Sequence, residues 1–296
     1  MNAIKHPLTQ DQCNASRITP GRPLDPDHQA RVLEEFYREG YALIPAVLTP
    51  EEVAHLRELG DRFIDHPETA PQGYAAPVAT AMVLRCTQSL HRAFCDMLVR
   101  EPFLSLAEAV LGSNAGFCGQ NIIRSDKDTG ISIWHIDDIL EFPLPPEIPR
   151  HDPRIRMPVF WFSFQIALSD IDSPEKGPTE VVPGSHYSGR DVNPARKASV
   201  DPSEFEGRRP TPILCRAGDV YLFNHQLWHR GSINRSNERR YLMQNQYCKA
   251  WGRTRFASAD AVCKIASEAL EGASPRLLKL LRREDLLPGN EVEKPR

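Results

Sequence analysis

The sequence lacks the features that mark membrane-spanning, secreted and nucleic-acid-binding chains. No apolar run approaches the roughly 18 residues of a membrane span, and the opening Met-Asn-Ala-Ile-Lys-His-Pro lacks the apolar segment of a signal peptide. The 36 basic and 39 acidic residues leave a net charge of −3, and no cluster of basic residues stands out. We therefore expect no membrane contact and no nucleic-acid partner, and we favour a small molecule as the partner.

Cysteine is sparse and irregularly spaced. The seven cysteines, at positions 13, 86, 95, 118, 215, 248 and 263, are odd in number and contain no Cys-x-x-Cys pair. This spacing argues against a disulfide framework and against a zinc–cysteine site. We expect reduced, mostly buried thiols in a cytoplasmic protein.

Proline, by contrast, is abundant. The 26 prolines cluster between periodic segments, which is typical of a β-rich core with long ordered loops. A chain of 296 residues with 41% hydrophobic content can form one large domain. We assign residues 26–296 to that domain, as a monomer or a homodimer, and residues 1–25 to a poorly ordered arm because they are polar and show no period.

Helical spacing is concentrated at the two ends of the domain. It predicts one helix from Asp27 to Gly40, a second that begins with a capping box at Thr49, and a third over 90–111. A C-terminal amphipathic stretch predicts further helices over about 257–283.

The middle of the chain, about 113–250, carries short apolar runs separated by turn residues, without intervening helices. This arrangement predicts a β-sandwich or barrel rather than a parallel sheet. Two segments without periodicity, 67–80 and 143–158, are long enough to act as lids over a pocket.

One alternating run, Gly130 to Asp138, suggests a metal site. In a strand, His135 and Asp137 would share one face and could supply two ligands to a divalent metal. An isolated His-x-Asp is more often a structural pair, so the interpretation depends on a second histidine.

The segment 224–240 offers that histidine together with a cation. His225 and His229 are both available as the third ligand, and Arg239 and Arg240 follow a predicted hairpin turn. A metal held by two histidines and one carboxylate keeps open positions for a bidentate small acid and dioxygen. An arginine in the same barrel would bind the distal carboxylate of that acid.

Four sequence blocks in this order resemble the phytanoyl-CoA dioxygenase family over roughly residues 29–250. The blocks are Phe-Tyr-Arg-Glu-Gly-Tyr-Ala-Leu-Ile-Pro from position 36, Trp-His-Ile-Asp from 134, Gly-Pro-Thr-Glu-Val-Val-Pro-Gly-Ser-His from 177, and Gly-Asp-Val-Tyr-Leu-Phe from 218. The resemblance implies a mainly β fold with flanking α-helices, a double-stranded β-helix (jelly roll, cupin-like) at about 113–250. It also implies Fe(II) as cofactor, with 2-oxoglutarate and O2 as cosubstrates.

The resemblance also implies residue roles. His135, Asp137 and His229 would bind iron, with His225 as the rival third ligand, and Arg240 would bind the distal carboxylate of 2-oxoglutarate, with Arg239 as its rival. Four further residues are candidates near 2-oxoglutarate, although ordinary roles in strands or turns remain open for the first three: Thr179, Arg124, Gln120 and Gln165. The chain departs from some members at Gly231, where they carry serine, and at Gln165, where they carry tryptophan.

The implied reaction is hydroxylation, or a related C–H oxidation, with release of succinate and CO2. The carboxylate of Asp137 favours hydroxylation, desaturation, epoxidation or rearrangement over halogenation, which would need a vacated ligand position. The candidates for the substrate pocket are aromatic, cationic or imidazole side chains: Phe142, Arg150, Arg154, Arg156, Tyr74 and His186. They fit an amino acid, a carboxylated natural product or an acyl thioester. A jelly-roll binding protein without turnover and a zinc hydrolase using the same ligands remain alternatives.

Overall fold

The computed structural model of the protein describes residues 16–137, 139–196, 199–252, 265, 270–283 and 286. The α-helices are α1 (Pro26–Glu39), α2 (Pro50–Asp65), α3 (Arg92–Val99), α4 (Phe103–Leu111) and α5 (Pro275–Leu280). The strands are β1 (Tyr41–Ile44), β2 (Ala75–Val78), β3 (Ala81–Arg85), β4 (Gly116–Ser125), β5 (Trp161–Ala167), β6 (Thr179–Val181), β7 (Thr211–Ile213), β8 (Val220–Asn224), β9 (His229–Gly231) and β10 (Arg240–Cys248). No helix in the described ranges is long and apolar enough to cross a membrane.

The first two helices form where their capping residues predict them. The side chain of Asp25 accepts a hydrogen bond from the backbone of α1, which ends at Gly40 with a left-handed φ of 86°. Thr49 and Glu52 complete the capping box of α2, and Pro50 occupies its first position.

The predicted helix over 90–111 is two helices, α3 and α4. Pro102 separates them, because its ring fixes φ and it has no N–H to donate to a preceding carbonyl. At the C-terminus, α5 lies within the helical region predicted over about 257–283, while most of 257–269 lies outside the described residues.

Two antiparallel sheets face each other. One has seven strands in the order β1-β8-β5-β10-β4-β3-β2, and the other has three in the order β7-β6-β9. Helices α1 to α4 pack on the outer face of the large sheet, where their apolar stripes meet aromatic strand residues such as Phe162, Phe164 and Tyr247. The inner face packs on the three-stranded sheet through a second, smaller apolar cluster that includes Tyr221, Phe223 and Val181, and the rest of it carries the site described below.

The segment predicted as a lid over 67–80 is partly strand. Residues 75–78 form β2, which pairs with β3 at the edge of the large sheet. Pro77 is compatible with this position because an edge strand leaves one row of N–H groups unpaired. The other predicted lid, 143–158, contains no helix or strand among its residues.

Part of the expected N-terminal arm is attached to the domain. The backbone N–H and the hydroxyl of Thr19 both donate to Glu52 Oε1, at 2.9 and 2.7 Å. Glu52 is buried and forms an ion pair with Arg100 at 2.9 Å. Residues 16–25 therefore do not match the predicted disorder, and residues 1–15 lie outside the described residues.

The cysteines differ from expectation at one position. Cys95, Cys118, Cys215 and Cys248 are buried and are not in disulfides, as predicted. Cys86 is disulfide-bonded, so the expectation that all thiols are reduced was wrong there. Sequence spacing alone could not show which sulfur atoms meet in space. Positions 13 and 263 lie outside the described residues.

Candidate metal and cosubstrate site

His135, Asp137 and His229 converge at the mouth between the two sheets. One ligand atom from each lies within 4.8 Å of the others. The Nε2 atoms of His135 and His229 lie 3.8 and 3.6 Å from Asp137 Oδ1. Two imidazoles and one carboxylate on one side of a metal ion leave the other coordination positions open.

The backbone that carries this cluster is irregular on one side. In place of the predicted strand 130–138, the described residues 130–137 form one isolated bridge, in which the N–H groups of His135 and His229 each donate to the carbonyl of the other, at 2.9 and 3.0 Å. The N–H of Asp137 donates to the carbonyl of His225 at 2.9 Å. These bonds fix both ligand segments against each other without a continuous strand.

Both histidine rings are oriented by their other nitrogen. Nδ1 of His135 lies 2.7 Å from the carbonyl of Ile133, and Nδ1 of His229 lies 2.8 Å from the carbonyl of Leu227. A carbonyl accepts only from a protonated Nδ1, so each Nε2 keeps its lone pair for a metal. These residues therefore fit a divalent metal ion such as Fe(II).

His225, the rival third ligand, is fully buried beside this cluster. Its Nε2 lies 3.9 Å from Asp137 Oδ2, the oxygen opposite the one that faces the two other histidines. The three ligand atoms that lie within 4.8 Å of one another belong to His135, Asp137 and His229, and not to His225. The geometry thus favours His229 over His225 as the third ligand.

Arg240 and Thr179 form a buried group of donors at one end of the cavity. Arg240 Nη2 donates to Thr179 Oγ1 at 3.2 Å, and the hydroxyl of Tyr221 donates to the same oxygen at 2.8 Å. Because Thr179 Oγ1 accepts two bonds, its own hydrogen is left to donate elsewhere. Arg240 Nε is buried and has no acceptor among the described residues.

A carboxylate would supply hydrogen-bond acceptors for the donors of Arg240 and Thr179. Burial lowers the pKa of Arg240 because removal from water disfavours the charged form. A bidentate carboxylate on the guanidinium would offset that cost. The residues therefore fit the distal carboxylate of 2-oxoglutarate. Arg239 is half exposed and pairs with Asp126 at 3.1 Å, so the rival arginine points outward.

The cavity that joins these groups has a volume of about 330 Å³. It is lined by the metal cluster, by Arg240, Thr179 and Gln165, and by Gly231, where the chain departs from some family members. The remaining lining residues were not singled out from the sequence: Val78, Val83, Arg85, Asn121, Ile123, Ile131, Phe223, Leu242, Gln244 and Gln246. Gln165 lies in this wall as a polar group, as predicted. Its Nε2 donates to Ser163 Oγ at 3.0 Å.

Two predicted cosubstrate residues lie on the wrong face of β4. Arg124 pairs with Asp61 and Asp65 of α2, at 3.1 and 2.7 Å. Gln120 accepts from Thr87 and donates to the carbonyl of Phe94 in the helical layer. Both predictions were wrong because side chains alternate along a strand.

The inner face of β4 belongs to Asn121 and Ile123 instead. Alternation from an inward Arg240 could also have found Leu242, Gln244 and Gln246. No sequence signal located Arg85, because β3 itself was not predicted.

The predicted substrate residues also lie away from this cavity. Arg150, Arg154 and Arg156 line a separate cavity of about 480 Å³. The first two are paired with Glu206 and Asp152, and Arg156 lies 4.1 Å from the ring centroid of Tyr37. These three arginines therefore do not line the cavity of the metal cluster, and their predicted role in substrate binding stays a prediction.

Tyr74, His186 and Phe142 serve structural contacts. Tyr74 is 2% exposed in the core under the helices. His186 Nε2 lies 3.1 Å from the carbonyl of Tyr37, and burial lowers the pKa of this histidine to about 4, so it stays neutral. Phe142 packs against His151 and lines another small cavity. None of these three lines the cavity of the metal cluster.

The sequence of the chain is similar to those of known proteins. The family model described as phytanoyl-CoA dioxygenase matches residues 36–241. The ectoine dioxygenase of Stutzerimonas stutzeri (strain A1501) is 27% identical over 172 residues, and the match covers 53% of this chain and 50% of that protein. The chain thus spans about half the length of this curated relative.

Solved structures share the fold. The epimerase SnoN, in complex with Fe3+, alpha ketoglutarate and nogalamycin RO, has 20% sequence identity and a TM-score of 0.59 over 76% of this chain and 85% of SnoN. HygX from Streptomyces hygroscopicus, with nickel, 2-oxoglutarate and hygromycin B bound, has 20% identity and a TM-score of 0.58 over 77% of this chain and 92% of HygX. The predicted jelly-roll fold is confirmed.

Proposed function

We propose, since the chain belongs to the phytanoyl-CoA dioxygenase family, that it is an Fe(II)- and 2-oxoglutarate-dependent dioxygenase acting on a small molecule. The expected outcome is hydroxylation: substrate C–H, 2-oxoglutarate and O2 give the alcohol, succinate and CO2. One structural neighbour is an epimerase, so the shared fold alone does not fix the outcome. A cytoplasmic location stays a prediction from the sequence.

The observation that carries the proposal is one cavity holding both halves of the required site. His135, Asp137 and His229 would hold the metal, while Arg240 and Thr179 would bind the distal carboxylate of the cosubstrate. The bound metal would supply the activation of dioxygen. The protein would position the reactants and exclude water around them. The apolar side chains of Ile123, Ile131 and Leu242 in the cavity wall suit the exclusion of water.

The proposal is tested by succinate formation. Purified protein with Fe(II), 2-oxoglutarate and O2 should release succinate slowly without substrate and faster with one, and zinc should not replace iron. Asp137→Ala should lose at least about 100-fold in succinate release, because it removes a ligand. Asp201→Ala, at an exposed turn, serves as the matched control and should be unchanged.

The alternatives predict different results. A zinc hydrolase would be active with zinc and would form no succinate. A binding protein without turnover would form no succinate with either metal. Either pattern in the wild-type protein contradicts the proposal.

A further inference from the structure

A row of polar side chains crosses the inner face of the large sheet, away from Arg240. Strand pairing places Arg85 opposite Asn121, Asn121 opposite Gln244, and Gln244 opposite Gln165. Residues directly opposite each other in antiparallel strands share a face. All four side chains line the cavity of the metal cluster.

The amides of this row bind one another and are thereby held in place. Asn121 Nδ2 donates to Gln244 Oε1 at 3.4 Å, and Gln244 Nε2 donates to Gln165 Oε1 at 3.2 Å. Gln246, 1% exposed, lines the same wall, and its Oε1 accepts no hydrogen bond from the described residues.

Arg85 differs from the other arginines near the site. Its side chain is half-buried in the cavity wall, and no described carboxylate lies within ion-pair distance of its guanidinium. Arg124, in the adjacent strand, shows the usual arrangement with two aspartates. A cation at a cavity wall without a counter-ion is a place where an anionic ligand gains a charge-assisted hydrogen bond.

The two cavity arginines stand at opposite ends. Arg240 pairs with Ser125 and Arg85 pairs with Asn121, four residues apart along β4, which corresponds to about 13 Å. Thr179, beside Arg240, pairs with Gly231, two residues from His229. The cavity therefore has a cosubstrate end at Arg240 and a second end at Arg85, and the metal cluster lines the same cavity.

The positive charge of Arg85, at the second end of the cavity, favours binding of a further anion. With iron and 2-oxoglutarate in place, the two positive charges of the metal and that of Arg240 are balanced by Asp137 and the two carboxylates of the cosubstrate. Among the described residues, no carboxylate then remains to compensate the charge of Arg85. A partly buried, unpaired charge is costly, so a ligand that brings one negative charge is favoured.

We propose that Arg85 binds a carboxylate of the substrate, that the amides of Asn121, Gln244 and Gln246 contact its polar body, and that the substrate is a small carboxylic acid. This inference rests on the proposed function. The cavity of about 330 Å³ also holds the cosubstrate and lies at the lower limit of typical ligand sites, which disfavours an acyl thioester.

The test uses a panel of small carboxylic acids (amino acids, hydroxy acids and short aliphatic acids), each beside its primary amide. Binding to the anaerobic protein loaded with Fe(II) and 2-oxoglutarate is followed by thermal shift. At least one acid should raise the melting temperature more than its amide does. The best acid should bind Arg85→Gln about ten- to a hundredfold more weakly, with partial recovery in Arg85→Lys.

The controls separate this inference from the function on which it rests. Arg209→Gln makes the same substitution at an exposed surface arginine and should leave acid binding unchanged. Substrate-free succinate formation and the affinity for 2-oxoglutarate are measured first in the wild type and in Arg209→Gln, which should agree. If the wild type neither forms succinate nor binds 2-oxoglutarate, the result contradicts the dioxygenase assignment rather than the role of Arg85. The inference is overturned if no acid exceeds its amide, or if Arg85→Gln binds the best acid as wild type does.

Discussion

Asp137 is the residue around which the metal cluster is arranged. Its Oδ1 faces the Nε2 atoms of both His135 and His229, and its Oδ2 faces His225. The carboxylate can thus approach any of three imidazoles, and the direction of Oδ1 selects the pair that shares one ion. Alanine variants of His225 and His229 can therefore show which of the two histidines binds the metal.

His229→Ala should weaken Fe(II) binding by more than about 100-fold, because even loss of a partner that orients a ligand costs about 10- to 100-fold. His225→Ala should still bind one equivalent of Fe(II). Iron content after gel filtration and competition with a chelator measure both, and thermal melts confirm that each variant is folded. If His225→Ala loses iron and His229→Ala retains it, our choice of ligand is wrong.

Arg240 and Arg239 are adjacent in sequence and differ in environment. Arg240→Gln should raise the KM for 2-oxoglutarate about 100-fold, because it removes a buried charge-assisted pair with the distal carboxylate. Thr179→Val should raise it about tenfold through loss of one hydroxyl donor. Initial rates of succinate formation at varied 2-oxoglutarate measure both.

Arg239→Gln is the matched control, since its side chain is half exposed and pairs with Asp126. Its KM should stay within about twofold of wild type, as expected for a surface ion pair. An equal effect in both arginine variants would remove Arg240 from the cosubstrate site.

At the scale of elements, the alternation of side chains along β10 shows which face of the large sheet lines the cavity and which packs on the helices. Arg240, Leu242, Gln244 and Gln246 alternate inward, and the residues between them face the helical layer. A shift by one residue exchanges core and cavity, and Arg124 and Gln120, which the family resemblance suggested near the cosubstrate, lie on the core side of β4. Knowing the inward position of Arg240 would have corrected both through strand pairing.

Helix α2 supplies the second element-scale prediction, through the buried pair of Glu52 and Arg100. Burial by itself would raise the pKa of Glu52, but hydrogen bonds from Arg100, Thr49 and Thr19 outweigh it and hold the pKa below its usual value of 4.5. Glu52→Gln should lower the free energy of unfolding by about 3–5 kcal/mol, because it leaves Arg100 buried without its counter-charge. Urea unfolding at neutral pH measures this loss.

The same pair gives a pH dependence with a defined sign. A carboxyl group whose pKa is lowered by folding contributes stability above its unfolded-state pKa, and this contribution is lost as the pH falls through the folded-state value. The difference between wild type and Glu52→Gln should therefore shrink below about pH 4. Exposed Glu51→Gln should show little difference at any pH, and a constant difference for Glu52→Gln would contradict the argument.

At the scale of the whole molecule, the features that could be predicted from the sequence are those encoded by residues close together along the chain. The capping residues of α1 and α2, the antiparallel strands and the His135–Asp137 pair follow from local spacing, whereas the family resemblance assigned His229 as the third ligand. The side chains at positions 85, 121, 244 and 246 meet only through pairing of distant strands, and β2 and β3 lacked a recognisable period. The position of Arg150, Arg154 and Arg156 outside this cavity likewise depends on tertiary contacts, such as Arg150 with Glu206.

The central claim, that one cavity binds a metal and 2-oxoglutarate together, is tested most directly by anaerobic titration. Wild-type protein with Fe(II) should develop a weak visible charge-transfer band as 2-oxoglutarate is added, saturating at one equivalent. The band should be absent in His229→Ala and should require much more 2-oxoglutarate in Arg240→Gln. Absence of the band in the wild type, or an unchanged band in His229→Ala, would contradict the account.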